Sequence, residues 1–211
     1  MSQFFYGAME TVRDAICGNK EFLTQLDGVI GDGDHGINMA RGFEAAVKKL
    51  GEHPEIEFPA GLKEVGMTLI STVGGASGPL YGTAFLRAAG VAQLQPAFTP
   101  ELAADMLSAA IGGIKQRGKA VRGEKTMIDA LEPAYETLTE GLRAQKDFLQ
   151  CLQMACTAAE EGVEYTKTII ARKGRASYLG ERSLGHQDPG ATSALMILKA
   201  LTGYYRQTVK E

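Results

Sequence analysis

Ile37-Asn38-Met39-Ala40-Arg41-Gly42-Phe43-Glu44-Ala45-Ala46-Val47-Lys48-Lys49-Leu50 sets its apolar side chains at Met39/Ala40, Phe43, Ala46, Val47 and Leu50. Steps of three and four residues gather these on one face of an α-helix, whereas a half-buried strand needs strict alternation. The same period extends in both directions. Upstream, Phe5, Ala8, Met9, Val12 and Ile16 predict a first helix ended by Gly18-Asn19, and a short helix follows over 20–26. Downstream, Leu62, Val65, Leu69 and Val73 share one side of a helix, and 83–94 forms another, stopped by Gln95-Pro96. Thr99-Pro100-Glu101 reads as N-cap, first-turn proline and first-turn acid of a helix with Leu102, Met106, Ile111 and Ile114 inward. Further helices run through Leu131 and Leu138, from Leu149 towards Ile170, and over 194–205. That makes eight or nine helices, with no convincing strand and no internal repeat. Several connections are short, so the fold expected is an all-α bundle or barrel of antiparallel neighbours.

The length of 211 residues suits a single domain over 1–211 with one sizeable core. Hydrophobic and charged fractions of 45% and 22% are those of an ordinary globule. A formal charge of −3, with no basic stripe carrying aromatics, argues against a nucleic-acid partner. Cys17, Cys151 and Cys156 fit neither a disulfide framework nor a zinc pattern, so reduced thiols in a cytoplasmic protein are expected. Residues 1–16 lack the basic start and cleavage site of a signal peptide, and no apolar run approaches the ~20 residues that span a bilayer.

Immediately before the opening stretch stands Leu26-Asp27-Gly28-Val29-Ile30-Gly31-Asp32-Gly33-Asp34-His35-Gly36. Asp is a natural hard-oxygen ligand for Mg²⁺ or Ca²⁺, and glycines let the backbone fold until Asp27, Asp32 and Asp34 converge. The plain alternative is a solvated turn capping a helix. It is not an EF-hand: the glycine comes one place early, and Phe43 stands where a bidentate glutamate is required. Gly74-Gly75-Ala76-Ser77-Gly78-Pro79 is suitable material for an anion cradle at a helix N-terminus, or for a tight interhelical turn. No Lys-Ser/Thr follows, so it is not a P-loop. Arg172-Lys173-Gly174-Arg175-Ala176-Ser177-Tyr178-Leu179-Gly180-Glu181-Arg182 brings cations suited to phosphate, unless it is a solvated surface loop. Asp188 can cap the last helix or bond a ribose or base, and His35 and His186 are proton carriers, ligands or ordinary polar residues. Acid-ligated metal, phosphate cradle and arginines together suit phosphoryl transfer, which depends on positioning and charge neutralisation.

Four stretches, LDGVIGDGDHGINM, GMTLISTVGGASGPLYGT, RGKAVRGEKTMIDAL and ARKGRASYLGERSLGHQDPGATS, resemble in order those of the nucleotide-binding L subunit of dihydroxyacetone kinase. The resemblance spans nearly the whole chain. It implies a closed barrel of eight antiparallel helices with ADP or ATP at one end, its diphosphate held through two Mg²⁺ ions by Asp27, Asp32 and Asp34. By the same resemblance, His35, Gly36, Ile37 and Asn38 lie against the nucleotide, and Ala76-Ser77 form the phosphate-binding turn. Gly118 and Met127 lie near the base, Arg175 over the phosphates, and Asp188, Pro189 and Gly190 make a further nucleotide contact. Ser77 and Arg175 are then the groups that stabilise the moving phosphoryl. The chain lacks a substrate-binding K domain and so resembles the free subunit, whose bound ADP is rephosphorylated by a phosphotransferase-type M subunit. It then serves dihydroxyacetone held on a histidine of a separate K subunit, and is inactive alone. An ATP-using two-subunit kinase for a ketose such as erythrulose, a non-catalytic nucleotide- or lipid-binding module, and a homodimer all stay open at this level.

Overall fold

The apolar stripes close on one another in a ring. A computed structural model describes residues 2–95 and 97–208. Pro96, read above as part of a helix stop, lies outside the described residues. The helices are α1 (Ser2–Gly18), α2 (Lys20–Ile30), α3 (His35–Glu52), α4 (Phe58–Thr72), α5 (Ser77–Ala92), α6 (Pro100–Gly118), α7 (Ile128–Arg143), α8 (Phe148–Thr166) and α9 (Pro189–Thr208). A 3₁₀ segment, Arg175–Ser183, precedes α9, and the described residues contain no strand. α1 packs on α3, each helix from α3 to α8 packs on its successor, and α9 returns to α1. Eight helices thus form a closed barrel. The ninth, α2, lies outside the ring and packs on α3, α9 and the 3₁₀ segment.

The predicted stripes are the ones that fill the centre. Val12, Ile16, Met39, Phe43, Leu50, Val65, Leu69, Ile114 and Ile128 are all buried in one cluster. A second cluster, rich in small residues, joins α7, α8 and α9 through Ala130, Ala134, Cys151, Ala155, Ala159 and Ala191. Thr99 caps α6 as expected, its hydroxyl accepting from Leu102 N at 3.1 Å. No helix among the described residues is long and apolar enough to cross a membrane.

Several boundaries differ from the sequence reading, and each difference moves a polar residue relative to the site. α2 continues four residues past Leu26, so Asp27 belongs to its last turn and not to the loop. α5 begins at Ser77 and α9 at Pro189, five residues before Ala194. The α9 start is set by Asp188, whose Oδ2 accepts from Ala191 N at 2.7 Å. The arginine-rich segment is not an open loop. It is two short 3₁₀ turns broken at Gly180, with Ser183 buried and bonded to the Gly180 carbonyl and the Ala171 N–H.

Because ring neighbours alternate in direction, alternate connections share an end. The connections over 31–34, 73–76, 119–127 and 167–188 gather at one end around one cavity. Those over 53–57, 93–95 and 97–99 line a groove at the other.

Candidate functional site

The aspartates converge because α2 and α3 are joined by a very tight turn. Asp27, on the last turn of α2, accepts through Oδ2 from the backbone N–H groups of Asp34 (2.9 Å) and His35 (3.1 Å). Gly33 sits at φ +73°, a region costly for a residue with a Cβ, and lets the chain reverse. Ligand oxygens of Asp27, Asp32 and Asp34 then lie within 4.8 Å of one another. Asp27 is buried, Asp34 half-buried and Asp32 exposed. Such crowding is unfavourable without a positive partner. Arg175 supplies part of one, its Nη1 lying 2.8 Å from Asp32 Oδ2. Three hard oxygen donors at this spacing fit a small divalent cation.

Across a cavity of about 420 Å³ stands the turn that opens α5. Gly74, Gly75, Ala76 and Ser77 all line it. A helix N-terminus of small residues with a hydroxyl is a ready anion site. Behind it, the buried His35 ring reaches Ser77 Oγ from Nδ1 (3.0 Å) and Ser193 Oγ from Nε2 (2.9 Å). Burial pushes the His35 pKa down, against the opposing pull of Asp27 and Asp34. Asn38 is oriented by Arg41, which donates to Asn38 Oδ1 at 2.7 Å and to the Thr72 carbonyl at 2.9 Å. The Asn38 amide thereby lies beside Gly74.

The third wall comes from the start of α7 and the approach to α9. Lys125, at φ +62°, is buried, and its ammonium donates to the carbonyls of Thr166, Ile169 and His186. Burial lowers its pKa while Asp188 and Asp129 oppose. Asp129 accepts from the N–H groups of Gly123 and Thr126, folding the connection beneath Met127. Asp188 is buried as well, and that burial pushes its carboxyl up to about 7, although the Ala191 N–H and Lys125 favour the charged form.

Of the residues singled out from sequence, Asp27, Asp32, Asp34, His35, Asn38, Ala76, Ser77, Gly118, Met127, Arg175, Asp188, Pro189 and Gly190 all line this one cavity. Gly36 and Ile37 do not. A Cβ at Gly36 would overlap the Lys20 carbonyl, so this glycine faces α2, and Ile37 faces solvent at 51% exposure. Both lie on the side of the first α3 turn that points away from the cavity. His186 contributes its backbone carbonyl to Lys125. Sequence reasoning missed Lys125 and Ser193, although both fall inside the quoted motifs. A lysine flanked by Glu124 and Thr126 offered only its charge as a signal, and Ser193 in a helix offered none.

A DAK2 domain model matches residues 29–203. The chain is 46% identical over 188 residues to the ADP-binding subunit of the PEP-dependent dihydroxyacetone kinase of Escherichia coli, covering 89% of this chain and 90% of that one. It is 45% identical to the ADP-binding subunit of the PTS-dependent dihydroxyacetone kinase of Lactococcus lactis, covering 87% of each chain. Among solved structures it is similar to the dihydroxyacetone kinase of C. freundii in complex with AMP-PNP and Mg²⁺, with a TM-score of 0.71 and 29% identity. That match covers 94% of this chain and 33% of the other, so this chain spans about a third of that longer kinase.

Proposed function

This chain belongs to the DAK2-domain family, alongside the ADP-binding subunits of dihydroxyacetone kinases, and on that premise we propose that it is the nucleotide-carrying subunit of a multi-subunit dihydroxyacetone kinase. The observation that carries the reading is the meeting, in one cavity, of three carboxylates and a small-residue helix N-terminus. A nucleoside diphosphate has the size for such a cavity, and its phosphates require the charge pattern found there.

Each residue then has a role. Asp27, Asp32 and Asp34 would hold two Mg²⁺ ions, whose chemistry is to neutralise the diphosphate and orient its terminal oxygen. The Ser77 hydroxyl and the turn at Ala76 donate to the phosphates, and Asn38 presents its amide beside them. Arg175 exchanges its Asp32 contact for the phosphoryl group, where a guanidinium stabilises spread charge. Gly118 and Met127 lie near the base, and Asp188, which also caps α9, makes a further nucleotide contact with Pro189 and Gly190. Bound ADP would supply the oxygen that accepts a phosphoryl group from a phosphotransferase-type M subunit and yields it to dihydroxyacetone on a histidine of a K subunit. Activity is therefore assigned to the assembly. The exposed apolar residues Val29, Ile37, Val121 and Tyr178, all at this end, support a protein partner closing over the cavity.

The test begins with the purified protein. Denaturing extraction is expected to release ADP in near-stoichiometric amount. Asp32→Ala is expected to retain none and to give no labelled dihydroxyacetone phosphate when K and M subunits and phosphoenolpyruvate are supplied. Retention and transfer unchanged in that variant would sink the metal assignment. Transfer from ATP with a K subunit alone, and none from phosphoenolpyruvate, would favour the ATP-using form.

A further inference from the structure

The His35 ring belongs to a longer chain of hydroxyl contacts. Beyond Ser77 on Nδ1 and Ser193 on Nε2, Ser193 Oγ lies 2.7 Å from the Tyr81 hydroxyl and 3.1 Å from the Gly190 carbonyl. Ser193 is fully buried and Tyr81 is 4% exposed, while Ser77 stands on the cavity wall. The chain thus links α5, α3 and the first turn of α9.

A neutral imidazole donates through one nitrogen and accepts through the other. Two proton orders satisfy the serine contacts, and the Pro189 carbonyl is a further backbone acceptor beside the ring. In the first, the Ser77 O–H donates to Nδ1, Nε2–H donates to Ser193, and the Ser193 O–H donates to the Gly190 carbonyl. In the second, the Ser193 O–H donates to Nε2, Nδ1–H donates to Ser77 Oγ, and the hydrogen of Ser77 is free to turn into the cavity. The Tyr81 hydroxyl, within reach of both Ser193 Oγ and the Gly190 carbonyl (3.1 Å), can donate to Ser193 in both orders and so hold that oxygen against the ring. The first order makes one more internal hydrogen bond, so it is favoured when nothing in the cavity accepts from Ser77. A phosphate oxygen accepts and offers no hydrogen, so it bonds Ser77 only in the second order.

The geometry points to Ser193 and Tyr81 as positioning residues that couple the His35 tautomer to an anion on Ser77. A phosphate selects the Nδ1–H ring, and its departure restores the Nε2–H ring. Each hydroxyl keeps its proton and rotates. The two states differ only in which ring nitrogen carries the single proton, so there is no net uptake. The inference rests on the reading of Ser77 as a phosphate contact.

The full chain has three histidines, so ¹⁵N-histidine labelling resolves the His35 ring directly. On addition of Mg–ADP to protein first stripped of nucleotide with EDTA, the ring nitrogens are expected to exchange their protonated and unprotonated shifts, with Mg²⁺ alone producing no exchange. In Ser77→Ala the ring no longer follows ADP. Ser193→Ala removes the donor to Nε2, so the loaded ring loses its Nδ1–H preference and ADP binds about tenfold more weakly. A ring with one tautomer in free and loaded wild-type protein overturns the inference without recourse to any variant. A tautomer that follows ADP equally in Ser77→Ala overturns it too, and wild-type affinity and exchange in Ser193→Ala assign Ser193 to packing alone. Calorimetry on the same samples separates the levels. Absence of any Mg–ADP binding overturns the functional reading together with this one, whereas binding without a tautomer change overturns only the coupling.

Discussion

Asp188 shows how a residue near the cavity can be spent on the scaffold. One carboxylate oxygen caps α9 through the Ala191 N–H, its backbone N–H donates to Thr166 Oγ1 at 3.0 Å, and its carbonyl accepts from Thr192. Burial, with Asp129 and Asp27 close enough to add repulsion, raises the carboxyl from the usual 3.8 to about 7. The folded chain therefore keeps a proton that the unfolded chain gives up. The stability so contributed is present in acid and is lost as pH rises from about 4 to about 7. Asp188→Asn keeps an N-cap acceptor and cannot ionise. Thermal melts are expected to show the variant's Tm, relative to the parent, climbing between about pH 4 and pH 7 and levelling off above, because the other titrations cancel in the difference. A pH-independent difference would show that the capping carboxylate carries its charge at no cost. Arg175 is the opposite kind of residue. Its contact with Asp32 is solvent-exposed, and such pairs contribute ~1 kcal/mol or less, so the guanidinium is easily surrendered to a better anion.

At the scale of elements, α2 decides whether the carboxylates meet. A Cβ on Gly36 would overlap the Lys20 carbonyl and come within 2.6 Å of Thr24 Oγ1, so α2 lies on the first turn of α3 only because that residue is glycine. Gly36→Ala is expected to cost about 1–3 kcal/mol, the range for overpacking a tight contact, and to cut ADP affinity by moving Asp27 off Asp34. Thr99→Ala is the counterpart at the other end of the barrel. Loss of that N-cap costs about 1 kcal/mol while ADP affinity holds. Chemical denaturation and calorimetry on the pair check both, and equal losses of affinity would refute the local role of α2. The stripes, the Thr99 cap and the four polar connections were legible because each is written in residues close together in sequence. The end of α2 was not, since Gly28 is a poor helix former, and the last turn is tied down by Asp27 accepting from the Asp34 and His35 N–H groups, contacts that only the folded turn creates. The 3₁₀ segment was misread as an open loop for the same reason. Ile30, Ala171, Ala176 and Leu179 form a small apolar cluster joining it to α2, across about 140 residues of sequence. Lys125 and the Ser77–His35–Ser193 chain are longer-range still, and nothing local announces partners 41 or 158 residues away.

The whole molecule turns this placement into a ligand effect. The ring alternates direction, so the four connections that meet at the cavity are separated in sequence by entire helices and are joined to one another by a few polar contacts such as Arg175–Asp32 and Lys125–His186. A ligand that touches all four should therefore act on the barrel end as a cross-link. Without a cation the three carboxylates repel one another, and the connection over 31–34 is expected to open more readily. Loaded with Mg–ADP, it is held by the metal-bearing phosphates, and the folded state gains RT ln(1 + [L]/Kd), about 2.7 kcal/mol at a hundredfold excess over Kd. Hydrogen exchange is expected to slow on loading at 31–38, 74–78, 119–127 and 172–190, and to stay unchanged at 53–57 and in α6 beside Thr99. EDTA is expected to reverse the protection, because the carboxylates grip phosphate only through the cation. Equal slowing at both ends of the barrel would refute a cross-link confined to the four connections, and would mean that ADP acts by stabilising the ring as a whole.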